Sequence, residues 1–132
     1  MKLWPIWWSQ TSIDLKIPAL ACAIAHAEGY YVSGAIPDRA NNPGDLELGD
    51  IGNGILGHRI TIYATERAGC LALYHELDLI FAGRSHYYTT DMTFAQFAVV
   101  WTGSDKSVSW ATVVTKLLKT TFNTTLLEWM II

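Results

Sequence analysis

The chain has 132 residues, of which 51% are hydrophobic, and its formal net charge is −3 at pH 7. This length suits one compact domain with its own core, residues 1–132, and is too short for two. Because the Lys and Arg residues are scattered and form no basic stripe, the composition argues against a nucleic-acid partner. No apolar run reaches the roughly 20 residues of a membrane-spanning helix, so we expect no membrane span.

An early segment, "LKIPALACAIAHA", imitates the apolar region of a secretory signal peptide. It begins only after Trp4, Trp7, Trp8 and Asp14, which is too late for such a region. We therefore expect no signal peptide.

The cysteines and histidines predict neither a metal site nor a redox pair. Cys22 and Cys70 lack Cys-x-x-Cys spacing and fall in predicted helices, so buried thiols are expected, with a single disulfide left open. The 4 histidines are far apart and form no zinc-hydrolase pattern. We expect no cofactor and no metal.

The first predicted element is a half-buried helix that ends at Glu28, before Gly29. Asp14 is its expected N-cap, and Pro18 falls in its first turn. Glu28 lies four residues after Ile24, on the same apolar stripe. The stripe is made of residues with helical spacing: Ile13, Ile17, Leu20, Ala21, Ile24 and Ala25.

A loop and a small β-hairpin are predicted next. The stretch from Gly29 to Gly44 is rich in Gly and Pro and indicates a loop. Between Asp45 and Ala64, short extended segments around "LEL" and "HRITIYA" are separated by "GDIGNG", whose Asn53-Gly54 pair favours a tight reversal.

Three further helices complete the predicted fold. Thr65 is the expected N-cap of a helix that runs to about Ala82 and stops at Gly83. Thr93 caps the next, and apolar spacing from Trp110 to Leu118 marks the last. The apolar end "LLEWMII" is expected to pack back on the body. The predicted fold class is mainly α (α+β), with one small β-hairpin.

Glu28 is the residue whose position asks for a chemical explanation. On a buried face in the last turn of a helix, desolvation and the helix dipole both disfavour its charged form, so its pKa should rise. A carboxylic acid that stays protonated near neutral pH suits general-acid catalysis. The alternative is structural, with Glu28 in solvent at a frayed helix end or paired with Arg39.

A resemblance to a known family begins at this residue. "AEGYYVSGAIPDRANNPGDLEL" resembles the catalytic segment of the lysozyme-like superfamily, especially soluble lytic transglycosylases and goose-type lysozymes. Glu28 takes the place of the catalytic Glu, and Gly44 to Leu46 that of the Gly-apolar stretch opening the hairpin that floors the sugar cleft. "YATERAGCLALYHEL" is similar to the helix that follows, and "FAVVWTG" to an Ala-Tyr-Asn-Ala-Gly stretch, with Trp101 in place of Tyr.

The combination with "NNPGDL" is most similar to small peptidoglycan-cleaving proteins of phages and prophages. The chain also departs from the family pattern, since Glu28-Gly29 replaces Glu-Ser and Trp101-Thr102 replaces Tyr-Asn. Gly-Asp-Leu-Glu at residues 44–47 replaces Gly-Leu-Met-Gln. These changes leave hydrolysis and transglycosylation both open.

The resemblance implies a lysozyme-like fold and a peptidoglycan muramidase. Such an enzyme cleaves the β-1,4 bond between N-acetylmuramic acid and N-acetylglucosamine, with Glu28 as general acid and base. Asp45 is the first choice for a second catalytic carboxylate, because it opens the predicted hairpin. Asp38, Glu47, Asp50 and Glu66 follow it, each with a surface or turn role as the alternative.

Substrate-binding candidates within the resemblance are Tyr30, Asn42, Tyr63 and Trp101. Aromatic rings suit sugar clefts because they pack on the apolar faces of pyranose rings. Asn42 has ordinary turn chemistry as its alternative, and Trp101 has core packing. Tyr31 also flanks the predicted cleft, whereas Trp4, Trp7, Trp8, Trp110 and Trp129 are assigned to packing.

Three functional classes fit these observations. The first is a phage-type endolysin or virion-associated muramidase, made as a monomer in the bacterial cytoplasm and acting on the cell wall. The second is a non-catalytic cell-wall-binding or virion structural module with the same fold, because fold similarity does not guarantee activity. The third is a lysozyme-like enzyme acting on another N-acetylhexosamine polymer, such as chitin.

Overall fold

The computed structural model describes residues 12–47 and 60–132, and these ranges are mainly helical. In chain order the helices are α1 (Ser12–Glu28), α2 (Ile36–Arg39), α3 (Glu66–Phe81), α4 (Phe94–Thr102), α5 (Ser107–Leu118) and α6 (Leu126–Ile131). Within these ranges no helix combines the length and apolar character that a membrane crossing requires.

Helix α1 ends where the sequence predicts but starts earlier. It begins at Ser12, so the expected N-cap, Asp14, lies inside the helix, and Pro18 is an interior residue rather than a first-turn one. A capping residue does not fix where a helix begins when the residues before it can also adopt helical geometry. At the other end Gly29 takes φ +83°. This left-handed residue turns the chain away directly after Glu28.

Helices α3 and α4 begin at the predicted caps. The Thr65 hydroxyl accepts a hydrogen bond from the Ala68 N–H at 3.1 Å. Thr93 and Gln96 form a reciprocal capping box at the start of α4. Helix α3 ends at Phe81, and Gly83 follows with φ +72°, as the stop signal predicts.

Two short helices were not predicted. Helix α2 lies inside the segment predicted as loop and begins with Ile36-Pro37, where proline needs no N–H partner. Helix α6 begins with a Thr125–Glu128 capping box. Trp129 of α6 is buried, and the Lys16 ammonium of α1 donates to its carbonyl oxygen, so the expectation that "LLEWMII" packs back is confirmed.

The core lies between α1, α3, α4 and α5. Helix α1 packs against α5 and α3, α4 packs against α5, and α6 contacts α1. These contacts bury the apolar stripe of every long helix and hold the C-terminal end of α1 against α5. The large, fully buried apolar side chains are Tyr74, Phe94, Phe97, Leu20, Ile24, Leu73, Leu77, Ile80, Leu126 and Val114.

The reversal of the predicted hairpin, with Asn53-Gly54, lies outside the described residues. Its described flanks, residues 45–47 and 60–64, form no strand. They are nevertheless adjacent, since the Thr61 N–H donates to the Leu46 carbonyl at 3.0 Å. The hairpin therefore stays a prediction, and the structure supplies only the approach of its two ends.

A glycine in α3 fixes the segment that precedes this junction. A Cβ atom at Gly69 would lie 1.7 Å from the Asn41 carbonyl oxygen and 3.1 Å from Pro43. Only glycine permits such an approach between a helix and backbone. Residues 41–44 are thereby held against α3, which places Gly44 and Asp45 opposite the end of α1.

Cys22 and Cys70 form no disulfide; Cys70 is buried in α3 and Cys22 is partly buried in α1. Burial raises the pKa of the Cys22 thiol, which lies 3.8 Å from the Tyr31 hydroxyl. The expectation of a buried thiol is thus confirmed for Cys70 and only in part for Cys22, and the disulfide that was left open is not formed.

Candidate functional site

A groove with a volume of about 830 Å³ opens beside the C-terminal end of α1. It lies between that helix end, the segment 36–47, α3, the loop before α4, and helices α4 and α5. Its charged lining residues are Glu28, Asp45, Glu47, Glu76 and Lys106. Its aromatic lining residues are Tyr87, Tyr88, Trp101 and Trp110. The groove therefore combines several carboxyl groups with an aromatic wall.

Glu28 sits in this groove as the last residue of α1. Its Oε1 atom accepts a hydrogen bond from Nε1 of Trp110 at 2.8 Å. Burial is the main cause that raises its pKa from the usual 4.5 to about 7, and the negative charge of Asp45 adds to it. The hydrogen bond from Trp110 and the positive charge of Lys106 act in the opposite direction.

These contacts contradict both structural alternatives that the sequence left open for Glu28. The side chain is neither frayed into solvent nor paired with Arg39, because it is largely buried and its hydrogen-bond partner is Trp110. With a pKa near 7, both the protonated and the ionised form are accessible near neutral pH. Such a group can donate a proton and then accept one, as general acid–base catalysis requires.

Asp45 faces the same groove in an unusual backbone conformation. Its φ is +53°, a left-handed value that Asp tolerates better than most residues. Its N–H donates to the Asn42 carbonyl at 3.1 Å, which closes the turn. The structure therefore brings the two predicted catalytic residues, Glu28 and Asp45, to one groove, close enough for the charge of one to affect the other.

The lower-ranked acids are dispersed. Glu47 lines the groove and is exposed. Asp38 accepts a hydrogen bond from the Gly34 N–H at 2.9 Å, and Glu66 is an exposed residue at the start of α3. Neither of these two lines the groove, and Asp50 lies outside the described residues.

Asn42, predicted to bind substrate, has a structural role instead. Its side chain is fully buried. Its amide group donates to the carbonyl oxygens of Leu46 at 3.0 Å and Thr61 at 2.9 Å, and its Oδ1 accepts from the Leu46 N–H at 2.9 Å. These bonds occupy the amide and join the two flanks of the predicted hairpin, so no donor is left for a sugar.

Tyr30 and Tyr63, also predicted to bind substrate, do not line the groove. Tyr30 is 3% exposed and packs edge-on against Tyr31. Tyr63 has a buried hydroxyl. Tyr31 stacks on His26 with ring centroids 4.3 Å apart, outside the groove lining. Flanking a cleft segment in sequence thus did not place these rings in the cleft.

Trp101 is the predicted binding residue that the structure does place at the groove. Its Nε1 donates to the Gly44 carbonyl at 3.2 Å. Its ring stacks on Trp110, with centroids 6.0 Å apart and an interplanar angle of 30°. Trp110, which the sequence assigned to packing, also lines the groove and donates the hydrogen bond to Glu28.

Sequence reasoning also missed Glu76, Tyr88 and Lys106 as groove residues. Glu76 follows Leu73 by three residues and precedes Ile80 by four, so it borders the buried stripe of α3. The same helical spacing from buried apolar residues marked Glu28, so this spacing could also have indicated Glu76. Tyr88 lines the groove together with Glu76 and Glu28. Burial and the negative charges of these two residues raise the pKa of Tyr88.

Among the described residues, no group of three or more His, Cys, Asp or Glu is arranged to hold a metal ion. Comparison of the chain with family models, with curated proteins and with solved structures finds no match. The groove and its carboxyl groups are therefore the basis for a functional assignment.

Proposed function

We propose that the protein is a glycan-cleaving enzyme, a muramidase with a lysozyme-like fold, and that Glu28 is its general acid and base. One observation carries the proposal: a largely buried glutamic acid with a pKa of about 7 lies at the wall of a groove, held by an indole N–H. Carboxylic acids tuned in this way serve glycoside hydrolysis.

The groove suits a sugar chain in size and chemistry. Its volume of about 830 Å³ is within the range of ligand sites. Trp101 and Tyr88 offer aromatic surface, and Tyr87 is 73% exposed at the groove. Pyranose rings bind such surfaces with their apolar faces and leave their hydroxyl groups for polar partners.

In the proposed reaction Glu28 transfers its proton to the glycosidic oxygen. The bond between this oxygen and C1 of the muramyl residue breaks, and the electron pair stays on the oxygen, which becomes the 4-hydroxyl of N-acetylglucosamine. The Glu28 carboxylate then takes a proton from the incoming oxygen as that oxygen bonds to C1. Water as the nucleophile gives hydrolysis, and the muramyl 6-hydroxyl gives an anhydro product.

Asp45 is the proposed second carboxylate. A negative charge close to C1 would stabilise the positive charge that develops in the oxocarbenium-like transition state. Asp45 also favours the protonated form of Glu28, because its charge adds to burial in raising the Glu28 pKa. Glu28 would thus act as the acid and Asp45 as the charge that stabilises the transition state.

The acidic balance of the chain bears on how it would reach its substrate. A net charge of −3 does not favour diffusion to an anionic cell wall. We therefore favour a phage-type protein delivered in place, as part of a particle, over a freely diffusing endolysin.

The proposal is tested by digesting purified peptidoglycan with the wild-type protein, with Glu28→Gln and with Glu66→Gln, and reading the released muropeptides by mass spectrometry. Glu66→Gln is the matched control, because it removes an exposed carboxyl group outside the groove. Reducing ends lost only in Glu28→Gln would indicate a hydrolase, and anhydro-muramyl ends a transglycosylase. A folded wild-type protein that binds sacculi and releases nothing would refute the enzyme and leave a cell-wall-binding module, and release from chitin alone would refute the muramidase assignment.

A further inference from the structure

A pair of tryptophans connects the two sides of the groove. Trp110 of α5 donates its indole N–H to Oε1 of Glu28 at 2.8 Å, and Trp101 of α4 donates its own to the Gly44 carbonyl at 3.2 Å. The two rings stack at 6.0 Å. A continuous line of contacts therefore runs from the Glu28 carboxyl group to the turn that carries Asp45.

We propose that Trp101 and Trp110 are positioning residues, which together fix the Glu28 carboxyl group relative to the Gly44–Asp45 turn and determine which oxygen of Glu28 holds the proton. The consequence for catalysis rests on the proposed function. The positioning itself does not, because these contacts are present whatever the groove binds.

The choice of oxygen follows from the chemistry of the indole group. Indole N–H is only a donor, so Oε1 of Glu28 must accept in both protonation states. In a neutral carboxylic acid the carbonyl oxygen is the better acceptor, and the proton resides on the other oxygen. Oε2 is thus the atom that delivers the proton, and the acid presents it in one orientation rather than two.

The surrounding rings hold the pair in place. Phe97 is fully buried and contacts both indoles, with centroids 5.3 Å from Trp101 and 5.7 Å from Trp110. Tyr88 packs against Trp101, with ring centroids 5.6 Å apart. Side chains locked by packing on this scale keep catalytic groups within the narrow geometry that reaction needs. Core packing alone would not require both indole N–H groups to bond to groove residues.

The first test uses the wild-type protein labelled with ¹⁵N at tryptophan. The indole N–H resonance of Trp110 should move downfield as pH rises, with the same midpoint as the Glu28 carboxyl group, because a hydrogen bond to an anion is shorter and stronger. Glu28→Gln should abolish this movement. The indole of Trp129, which packs between Phe81 and Phe94 and does not line the groove, is the internal control.

The second test measures the Glu28 pKa by carboxyl ¹³C NMR in Trp110→Phe, Trp101→Phe and the control Trp129→Phe. Trp110→Phe removes a donor from the anion, so the Glu28 pKa should rise, by about one unit. Trp101→Phe frees the Gly44 carbonyl and lets Asp45 move away, so the pKa should fall. Trp129→Phe should leave it unchanged.

Opposite changes in the two groove variants support the positioning role. Glu28 pKa changes in the same direction, or a Trp110 indole resonance that does not move with the Glu28 titration, would refute it. The resonance is measured on wild-type protein, so it gives an answer even where a variant does not fold. If the NMR results agree while wild-type protein releases no muropeptide, the positioning inference stands and the proposed enzyme function fails.

Discussion

Replacing Glu28 with glutamine should stabilise the protein at alkaline pH, by an amount that is absent at acidic pH. The folded-state pKa of Glu28, about 7, is above its ordinary value of 4.5, so the folded protein holds this proton more tightly than the unfolded chain. The contribution of Glu28 to stability is therefore complete below about pH 4.5 and is lost as pH rises through about 7. Glutamine does not titrate and keeps a carbonyl oxygen for Trp110.

The size of the effect follows from these two pKa values, which differ by about 2.5. At about 1.36 kcal/mol per unit, the free energy of unfolding of Glu28→Gln should gain about 3 kcal/mol on wild type between about pH 4 and pH 8. This gain would reflect the destabilising effect of an ionised carboxylate in a buried position.

Urea denaturation of both proteins at the two pH values measures the difference. Glu128→Gln is a control of opposite sign, because backbone and side-chain hydrogen bonds from Thr125 lower the pKa of this exposed carboxyl group. Its contribution to stability is lost as pH falls, so wild type should gain on Glu128→Gln as pH rises. An unchanged gap between Glu28→Gln and wild type across this range would refute the burial argument for Glu28.

Two further predictions concern the site. Asp45→Asn removes a negative charge beside Glu28 and should lower the Glu28 pKa, whereas Lys106→Gln removes a positive charge and should raise it. The alkaline limb of the pH–activity profile should therefore move to lower pH in Asp45→Asn and to higher pH in Lys106→Gln, and equal profiles would contradict the electrostatic assignment. Asn42→Asp replaces an amide that donates to the Leu46 carbonyl with a carboxylate that cannot donate. Thermal unfolding should therefore show that the free energy of unfolding falls by about 2 kcal/mol or more. Unchanged stability together with weaker sugar binding would instead indicate that Asn42 binds substrate.

Local sequence determined where α1 and α3 end and where α3 and α4 begin. Thr65 and Thr93 cap α3 and α4 as predicted, because a side chain that accepts from a backbone N–H three residues on needs no tertiary partner. The position of Glu28 at the end of an apolar stripe was likewise visible in the spacing. Its raised pKa followed from that position, since desolvation depends on which face of the helix is buried.

Residues in irregular segments were harder to assign. Asn42 is equally consistent in sequence with a turn and with a ligand, and only the approach of residues 46 and 61 shows that its amide is occupied. The short helix α2 escaped prediction because four residues carry no periodic signal.

The composition of the groove was decided by tertiary structure. Trp110 and Glu28 are far apart in sequence, and whether an indole on a buried stripe is filler or a donor depends on what the neighbouring helix presents to it. The packing of α1 against α5 makes Trp110 a partner of Glu28, and the contact between Gly69 and Asn41 places Asp45 across from it. The sequence indicated that Glu28 lies on a buried stripe, because periodicity reports burial; the partners of Glu28 come from long-range contacts, which periodicity does not encode.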